Sequence, residues 1–445
     1  MPPGRARRVR YPAAVFESRR RRFLDAMGEG AVALILGARP AVRSADTEYP
    51  FRQDSDFHYL TGFDHPCAAA VLRTDGGAPF TLFVQPRDPE AETWTGYRPG
   101  IEGALRDHGA DEAHPIEDLE RELPRLLERA RRVYHVIGRD RRLDERIVEI
   151  LESMRRRSRL GLEPAEAIVD PRSILHEMRL VKEPAELEIM RRAAAITEEA
   201  HREAARLAWP GRFEYELEAA LLHAFRRCGS AGPAYGSIVG GGPHATILHY
   251  VQNEGELAAG QLVLIDAGCE LEGYASDVTR TYPVGGRFEG AARAVYEVVL
   301  AAQEASLQVS RPGVTLEEVH SASVRRLVEG MCELGLLEGD PDELVAREAY
   351  RPWYMHRTSH WLGLDVHDVG SYVRDGKPRP LVPGMVYTVE PGLYISAADS
   401  RAPAPLRGIG VRIEDDVVVT EDGHENLTRA IPKRPADVEA WVRDA

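Results

Sequence analysis

The chain has little cysteine, no long apolar run and no excess of positive charge. Its four cysteines, Cys67, Cys228, Cys269 and Cys332, lie far apart and form no CxxC pair. We therefore predict neither a disulfide framework nor a thiolate metal site. This cysteine usage favours a reducing compartment, and we expect a cytoplasmic protein.

Membranes and nucleic acids are not expected partners. The longest early apolar run, AVALILG at residues 31–37, is too short to cross a bilayer. It follows an arginine-rich opening, MPPGRARRVR, which we interpret as a solvated tail rather than a transit peptide. The chain carries 71 acidic against 57 basic residues, a formal charge of −14, and this balance argues against a general polyanion-binding surface.

With 445 residues, the chain is longer than a single hydrophobic core usually serves. In the first part, helix-like stretches such as FESRRRRFLDAM and IEDLERELPRLLERA alternate with apolar strands such as AVALILG, AAAVLRT, FTLFVQ and RVYHVIG. Such alternation is typical of an α/β domain. Pro171 and Pro184 flank the charged segment that follows. We predict an α/β (α+β) protein with an N-terminal domain of residues 1–172 and a second domain of residues 173–445.

The second domain repeats an order of helices and strands. Periodicity predicts helices at about 184–208 and 214–228, then strands, then helices at about 289–308 and 315–334, and a strand-rich region at 385–420. No clear sequence repeat accompanies this order.

Two aspartates lie where burial makes carboxylates costly. In LVLIDAGCELEGYASDVTRTYPV, Asp266 ends one apolar run and Asp277 lies on the next. A hairpin centred between residues 271 and 272 places them directly opposite, with Cβ atoms about 5 Å apart. Their repulsion would be relieved by a shared proton or by a cation. The alternative is a solvent-facing turn with two scattered aspartates.

Further candidate ligands lie downstream. Apolar strands deliver Glu390 in MVYTVEPGLY and Glu414, on the same face as Arg412, in GIGVRIEDDVVVT. The segment MHRTSHWLGLDVHD adds three histidines, His356, His360 and His367. Four carboxylates and one or two histidines suit manganese or a similar divalent ion, and four carboxylates exceed what one ion needs. We therefore predict two ions that share bridging carboxylates.

Each of these residues also has a purely structural interpretation. His356 and His360 have HxxxH spacing and could line a helix face, but Arg357 stands where a zinc-protease helix carries glutamate. Arg412 and Glu414 could form a buried ion pair. Residues 415 and 416, both aspartates, could form a turn-like acidic edge.

Several long motifs resemble the proline-specific metallopeptidases of the pita-bread fold, and among them the Xaa-Pro aminopeptidase (aminopeptidase P) family. These motifs are ILHYVQNEGEL, LIDAGCELEGYASDVTRTYPV, SHWLGLDVHD, TVEPGLY and GIGVRIEDD. The segment DTEYPFRQDSDFHYLTGF at 46–63 resembles the family's N-terminal domain. The resemblance implies that an aminopeptidase P-type N-terminal domain precedes a duplicated ααββ catalytic domain.

The resemblance also implies ligand roles. Asp266 would chelate one metal ion, His360 and Glu390 would hold the other, and Asp277 with Glu414 would bridge the two. The reaction expected is hydrolysis of the bond between an N-terminal residue and a following proline, by a hydroxide between two divalent ions, with manganese as the expected metal.

Other positions match family residues around the substrate. His249 and His367 would lie beside the substrate carbonyls, and Glu390 would shuttle a proton. His356 and Arg412 would line the proline pocket. The family forms homodimers or homotetramers, so Trp94, with Asp46, is expected to contact substrate bound by a neighbouring chain.

Two positions depart from the family pattern, Arg357 in place of glycine and His244 in place of asparagine. We hypothesise that Arg357 binds the terminal carboxylate of short substrates, unless it pairs with an acid such as Asp365. Rival interpretations are a prolidase restricted to Xaa-Pro dipeptides, a non-catalytic binding protein of the same fold, and a metal-free creatine hydrolase. The full set of predicted ligands disfavours the last two.

Overall fold

A computed structural model describes residues 12–443. The arginine-rich opening interpreted as a tail lies outside the described residues. The chain divides into two compact units, and the division falls between Met178 and Arg179. We call them the N-terminal unit and the C-terminal unit. The domain boundary predicted at residue 172 falls at the first residue of the helix that crosses this division, Arg172–Leu180.

The N-terminal unit is built around a six-stranded mixed sheet. Its helices are α1 (Ala13–Met27), α2 (Ser55–Thr61), α3 (Pro89–Thr95), α4 (Gly100–His108), α5 (Leu119–Leu127), α6 (Arg141–Arg156) and α7 (Arg172–Leu180, which crosses the division). Its strands are β1 (Ala31–Leu36), β2 (Val42–Ser44), β3 (Thr47–Glu48), β4 (Ala69–Arg73), β5 (Phe80–Val84), β6 (Glu112–Pro115), β7 (Arg132–Tyr134) and β8 (Ala167–Val169).

The four apolar stretches predicted as strands in this unit are confirmed as β1, β4, β5 and β7. The strand order is β6-β5-β4-β1-β7-β8, with β1 antiparallel to β4 and parallel to β7. Leucines and isoleucines of α5 and α6 pack with Val32, Leu34 and Val71 of the sheet in one apolar core. The predicted α/β character of this part is therefore confirmed.

The C-terminal unit contains the predicted alternation of helix pairs and strands. Its helices are α8 (Pro184–Ala205), α9 (Glu214–Arg227), α10 (Gly290–Val309), α11 (Leu316–Glu333), α12 (Pro341–Ala346) and α13 (Pro435–Arg443). Its strands are β9 (Gly232–Pro233), β10 (Ile238–Gly241), β11 (Leu262–Asp266), β12 (Cys269–Leu271), β13 (Tyr274–Ala275), β14 (Thr279–Pro283), β15 (Val373–Arg374), β16 (Lys377–Pro378), β17 (Val386–Val389), β18 (Gly392–Ile395), β19 (Ile409–Arg412), β20 (Asp415–Val419) and β21 (His424–Asn426).

The two helix pairs pack in the same way and are followed by similar strands. Helix α8 packs on α9, and α10 packs on α11. The first pair precedes the sheet β10-β11-β14, and the second precedes the sheet β17-β20-β21. Local signals set the helix starts: Oγ1 of Thr315 accepts a hydrogen bond from the backbone N–H of Glu318, and the Glu318 carboxylate accepts one from the backbone N–H of Thr315. The order predicted from periodicity is confirmed.

The hairpin that carries the two aspartates differs from the predicted register. Strand β11 pairs with β14 so that Asp266 lies opposite Thr279, and not opposite Asp277. Asp277 is therefore a diagonal neighbour of Asp266. Diagonal neighbours lie on the same face of a hairpin, so the prediction that the two carboxylates share a face survives the change of register.

The turn explains why the predicted register was wrong. Leu271 pairs with Tyr274, which leaves Glu272 and Gly273 as a two-residue turn with φ values of 50° and 85°. Two-residue hairpin turns favour positive φ at both positions, and glycine adopts positive φ without strain. The turn is therefore centred between Glu272 and Gly273, one residue beyond the predicted centre between residues 271 and 272.

Candidate metal centre

The five predicted metal ligands all lie in the C-terminal unit, four of them at the ends of buried strands. They are Asp266 at the end of β11, Asp277 before β14, Glu390 between β17 and β18, Glu414 before β20, and His360 in the irregular segment 353–372. The first two follow one helix pair, and the other three follow the second pair.

Three of these side chains can hold one metal ion. Asp277, His360 and Glu414 each offer a ligand atom, and these atoms lie within 4.8 Å of one another. Nε2 of His360 lies 3.3 Å from Oδ2 of Asp277 and 3.5 Å from Oε1 of Glu390. Asp277 is 5% exposed and Glu414 2% exposed, so bulk water solvates neither carboxylate well.

Asp266 and Asp277 share one hydroxyl group. The O–H of Tyr235 lies 2.6 Å from Oδ1 of Asp266 and 2.6 Å from Oδ1 of Asp277. A phenol carries one proton, so it donates to only one of them at a time. The carboxylate that does not receive this proton depends on another donor or on a cation, and carboxylate oxygens are ligands that hard divalent ions prefer.

Burial keeps this cluster from carrying its full negative charge alone. Burial, with Asp277, Glu390 and Asp266 close by, raises the pKa of Glu414 well above its usual value. Burial also raises the pKa of Glu390, to about 7. A cluster whose acids resist joint ionisation is stabilised by a divalent cation.

His360 is the cationic member of the cluster in the absence of metal. Burial opposes its protonation, but the hydrogen bond with Asp277 and the nearby Glu390 raise the pKa of His360 to about 9. Burial opposes ionisation of Asp277, but the hydrogen bond from His360 holds the pKa of that carboxyl below its usual value. A proton on His360 therefore occupies the position where a cation would be coordinated.

Arg412 contacts Asp266 rather than Glu414. Its Nη2 donates to Oδ2 of Asp266 at 2.5 Å and its Nε donates to Oγ1 of Thr279 at 2.9 Å. The hydroxyl of Thr279 donates to Glu414 at 2.6 Å. The alternative of an Arg412–Glu414 ion pair is therefore wrong, because the threonine hydroxyl lies between the two side chains.

Two of the predicted substrate-side histidines lie beside the metal ligands. Nδ1 of His356 is 3.7 Å from Oε2 of Glu390. His367 packs edge-on against His360, with ring centroids 4.4 Å apart. Burial lowers the pKa of His356, and the charge of Arg412 lowers it further. Burial also lowers the pKa of His367, with a further contribution from His360. His249 is exposed on the loop before β11. The irregular course of segment 353–372 excludes the helix-face interpretation of His356 and His360.

A tyrosine joins the two residues predicted to line the proline pocket. The hydroxyl of Tyr394 lies 2.9 Å from Nε2 of His356 and accepts a hydrogen bond from Nη1 of Arg412 at 3.1 Å. Tyr394 is not among the residues predicted from the sequence, although it ends the motif TVEPGLY. Tyr235 is not among them either, and the sequence around it offers no signal.

Arg357 points away from the ligand cluster. Its guanidinium pairs with Glu317 at 3.0 Å, and its side chain is 65% exposed. The predicted alternative partner, Asp365, binds Arg179 at 2.7 Å instead. The outward, acid-paired arrangement is thus observed, although the named partner was wrong.

Two further predicted contacts belong to the N-terminal unit. Trp94 lies on α3 and is 85% exposed. Asp46 is exposed in the turn between β2 and β3. Both roles concern a neighbouring chain and stay predictions.

The interpretation of residues 415 and 416 as an acidic edge is wrong. Asp415 is fully buried and pairs with Arg280 at 2.6 Å and Lys433 at 2.7 Å. Asp416 accepts a hydrogen bond from the backbone N–H of Asp277 at 3.1 Å. Both carboxylates support the strands that carry the predicted ligands.

Comparisons with known proteins agree on one family. Residues 188–421 match the model of metallopeptidase family M24, and residues 16–134 match the aminopeptidase P N-terminal domain. The Xaa-Pro aminopeptidase of Escherichia coli K12 is 48% identical over 429 residues, covering 96% of this chain and 97% of that protein. Human Xaa-Pro aminopeptidase 3 is 35% identical over 419 residues, covering 93% of this chain and 81% of that protein.

Solved structures of aminopeptidases also match this chain over nearly its whole length. An aminopeptidase from Pseudomonas aeruginosa has a TM-score of 0.95 at 45% identity, with 98% of this chain and 99% of that chain covered. An E. coli aminopeptidase P variant in complex with substrate has a TM-score of 0.93 at 46% identity, with 98% and 99% covered. Together with the carboxylate and histidine cluster, these matches establish that the chain belongs to metallopeptidase family M24 and carries the N-terminal domain of aminopeptidase P.

Proposed function

We propose that this protein is a manganese-dependent Xaa-Pro aminopeptidase that removes an N-terminal residue from peptides with proline in the second position. The observation that carries the proposal is the buried cluster of Asp277, His360 and Glu414 in a chain of family M24. Two bacterial relatives named Xaa-Pro aminopeptidase match nearly the whole chain. A ligand set of carboxylates with one histidine suits manganese.

In the proposed site, five residues divide two ions between them. Asp266 would hold one ion, His360 and Glu390 would hold the other, and Asp277 and Glu414 would be ligands of both. When bound, such a pair of ions supplies an activated water nucleophile and polarises the scissile carbonyl. The shared hydroxyl of Tyr235 keeps Asp266 and Asp277 oriented toward each other.

Glu390 is the proposed proton carrier. Without metal, burial raises the pKa of Glu390 to about 7. In the proposed site the same carboxylate would hold an ion and would take up the proton that the attacking water loses. His249 and His367 are proposed to donate hydrogen bonds to the substrate carbonyl as charge develops on its oxygen. The low pKa of His367 keeps that imidazole neutral, so only one ring nitrogen carries a proton to donate.

The proposed proline pocket is formed by His356, Tyr394 and Arg412. The Tyr394 hydroxyl fixes both neighbours, and Arg412 is itself anchored on Asp266. Proline lacks an N–H and has a fixed φ, so an enzyme for this bond cannot grip the substrate through that N–H. A preformed pocket that binds the proline ring would take the place of that hydrogen bond.

Location, assembly and domain organisation form part of the proposal. All four cysteines are free thiols, which agrees with a cytoplasmic protein. We propose a homodimer or homotetramer, with residues 1–172 as the N-terminal domain and 173–445 as the catalytic domain. Within residues 12–443, no helix combines the length and apolar character needed to cross a bilayer.

A peptide series tests the proposed reaction. We would measure cleavage of an Xaa-Pro dipeptide, a tripeptide and a hexapeptide, with matched peptides that carry alanine in the second position. The proposal predicts manganese-dependent release of the N-terminal residue from all proline peptides and from none of the alanine peptides. Cleavage of the dipeptide alone would indicate a prolidase, and metal binding without cleavage would indicate a binding protein.

Arg357 provides a test of length preference. The hypothesis that it binds a substrate carboxylate requires the guanidinium to leave Glu317. We would compare a tripeptide with its C-terminal amide in the parent and in Arg357→Gly. If amidation and substitution each leave the catalytic efficiency for short peptides unchanged, Arg357 is only a surface partner of Glu317.

A further inference from the structure

A buried glutamate outside the ligand cluster organises the loop that carries His249. Glu214 begins α9, and its side chain is 1% exposed. Glu214 lies between α8 and β10 in the chain. It is therefore not part of β11 or β14, the strands next to the ligands Asp266 and Asp277.

The Glu214 carboxylate has four hydrogen-bond donors, all from one short stretch of chain. Oε1 accepts from the backbone N–H of Gly241 at 2.7 Å and faces Nδ1 of His244 at 2.8 Å. Oε2 accepts from the backbone N–H of Gly255 at 2.6 Å and from the hydroxyl of Tyr250 at 2.9 Å. One carboxylate thus joins both ends and the middle of the segment 241–255, which we call the His249 loop.

Additional contacts keep the loop closed. The side chain of Asn253 accepts from the N–H of Val239 and donates to the carbonyl of Ser237, both at 2.9 Å. The rings of His244 and Tyr250 stack with centroids 4.4 Å apart. The loop is therefore fastened from inside by side chains.

These hydrogen bonds determine which side chains of the His249 loop are exposed. Tyr250 is buried because it binds Glu214, whereas His249 next to it is exposed. Ile247 and Val251, on either side of His249, are also exposed. The loop packs against β19, the strand that ends in Arg412, since a Cβ added at Gly410 would overlap the carbonyl of Ala245. The loop that presents the imidazole therefore lies against an element of the candidate site.

We propose that Glu214 is a positioning residue that holds His249 in its working orientation by binding both ends of the His249 loop. The inference rests on the proposed function, since it assigns His249 to the substrate side of the site. A carboxylate is required because the backbone N–H groups of Gly241 and Gly255 can only donate, and they face its two different oxygens.

Glutamine at position 214 cannot replace the carboxylate. An amide has one oxygen, so whichever way it is turned its NH₂ group faces the backbone N–H of Gly241 or of Gly255. Two donors then face each other in a buried site, and that end of the loop is released.

A double-mutant cycle tests the proposal. Glu214→Gln should lower kcat for a proline-second tripeptide about 10- to 100-fold, because a displacement of about 1 Å costs that much in a positioned group. KM and manganese content should stay close to those of the parent. In a His249→Ala background the same change should lower kcat by less than about threefold, since the group it positions is gone. Glu218→Gln, on the same helix and partly exposed, is the matched control and should behave like the parent.

An equal loss in both backgrounds would overturn the proposal, because Glu214 would then act on the fold and not through His249. If Glu214→Gln does not fold, Tyr250→Phe removes one donor only and enters the same cycle. Hydrogen exchange at Gly241 and Gly255 gives a readout that needs no substrate: exchange should accelerate in Glu214→Gln. Unchanged exchange would refute the positioning role, whereas loop release in an enzyme that cleaves none of the peptides would refute the proposed function alone.

Discussion

Asp277 is the residue on which the candidate centre depends most. It contacts His360 and shares the Tyr235 hydroxyl with Asp266. In the proposed site its charge is shared by two cations, and an amide supplies no charge. We therefore expect Asp277→Asn to lose bound manganese and to lower activity by at least about 100-fold.

Elemental analysis of purified Asp277→Asn measures this outcome, with far-ultraviolet circular dichroism to establish that the fold persists. Two ions still bound per chain would contradict the bridging role. The exposed Asp375→Asn substitution, in the turn between β15 and β16, is a control that should retain both metal and activity.

His201 links the same region to acid stability. Its ring is fully buried on α8, where its nitrogens lie 3.1 Å from the Tyr282 hydroxyl and 3.1 Å from the carbonyl of Ala267. Burial lowers the pKa of His201 to about 3, whereas an unfolded histidine titrates near 6.5. The unfolded state therefore binds the proton first, and stability falls as the pH drops from about 6.5 toward 3.

At pH 5 this single group should lower the free energy of unfolding by about 2 kcal/mol relative to pH 7. His201→Gln keeps polar atoms but does not titrate. Urea unfolding at pH 7 and pH 5 should therefore show a smaller loss between the two pH values in the variant than in the parent. An identical loss in both proteins would show that His201 is not the group responsible.

At the scale of elements, Gly268 sets the spacing of the aspartate hairpin. A Cβ atom at this position would overlap the carbonyl of Ser276 and approach the backbone N of Asp277 within 3.1 Å. Because the obstruction is backbone, it cannot turn aside as a flexible side chain can. Gly268→Ala is expected to displace Asp277 and to weaken manganese binding about 10- to 100-fold.

Metal titration of Gly268→Ala beside Gly423→Ala measures this effect. Gly423 has nothing within 4 Å of an added Cβ, so that variant should bind metal like the parent. Parental affinity in Gly268→Ala would mean that the hairpin can widen without moving its carboxylate.

Elements were predictable where the signal is local. Helix α11, for example, is predicted at about 315–334 and spans Leu316–Glu333. The agreement is close because the sequence itself contains the apolar periodicity of the helix and its capping residue, Thr315. The turn at Glu272 and Gly273 was placed one residue early because period-two alternation fixes the face of a residue but not its partner. The contacts of Tyr235 and Glu214 could not be predicted from the sequence. They join segments that are distant in the chain, whereas periodicity describes only residues within one helix or strand.

At the scale of the whole molecule, the proposed oligomer makes a prediction about Trp94. A tryptophan that is 85% exposed on α3 is a large apolar surface that residues 12–443 leave uncovered. If it contacts substrate bound by a neighbouring chain, Trp94→Ala should raise KM for a hexapeptide more than for a dipeptide. Steady-state kinetics on both peptides measure this difference.

Leu160→Ala removes another exposed apolar side chain of the same unit, which is 76% exposed, and should leave both KM values unchanged. Sedimentation of the active parent supplies the complementary observation. A fully active monomer would exclude a contribution from a second chain.

The division of the proposed ligands between two helix-pair repeats has a consequence for synthesis of the protein. Asp266 and Asp277 leave the ribosome long before Glu390 and Glu414, and the early pair alone is an incomplete donor set. A nascent chain that has made only the first repeat would therefore not retain a metal ion tightly. Metal loading would come after the second repeat has been translated and has folded against the first, so that a bound metal ion marks a chain in which the two repeats have assembled.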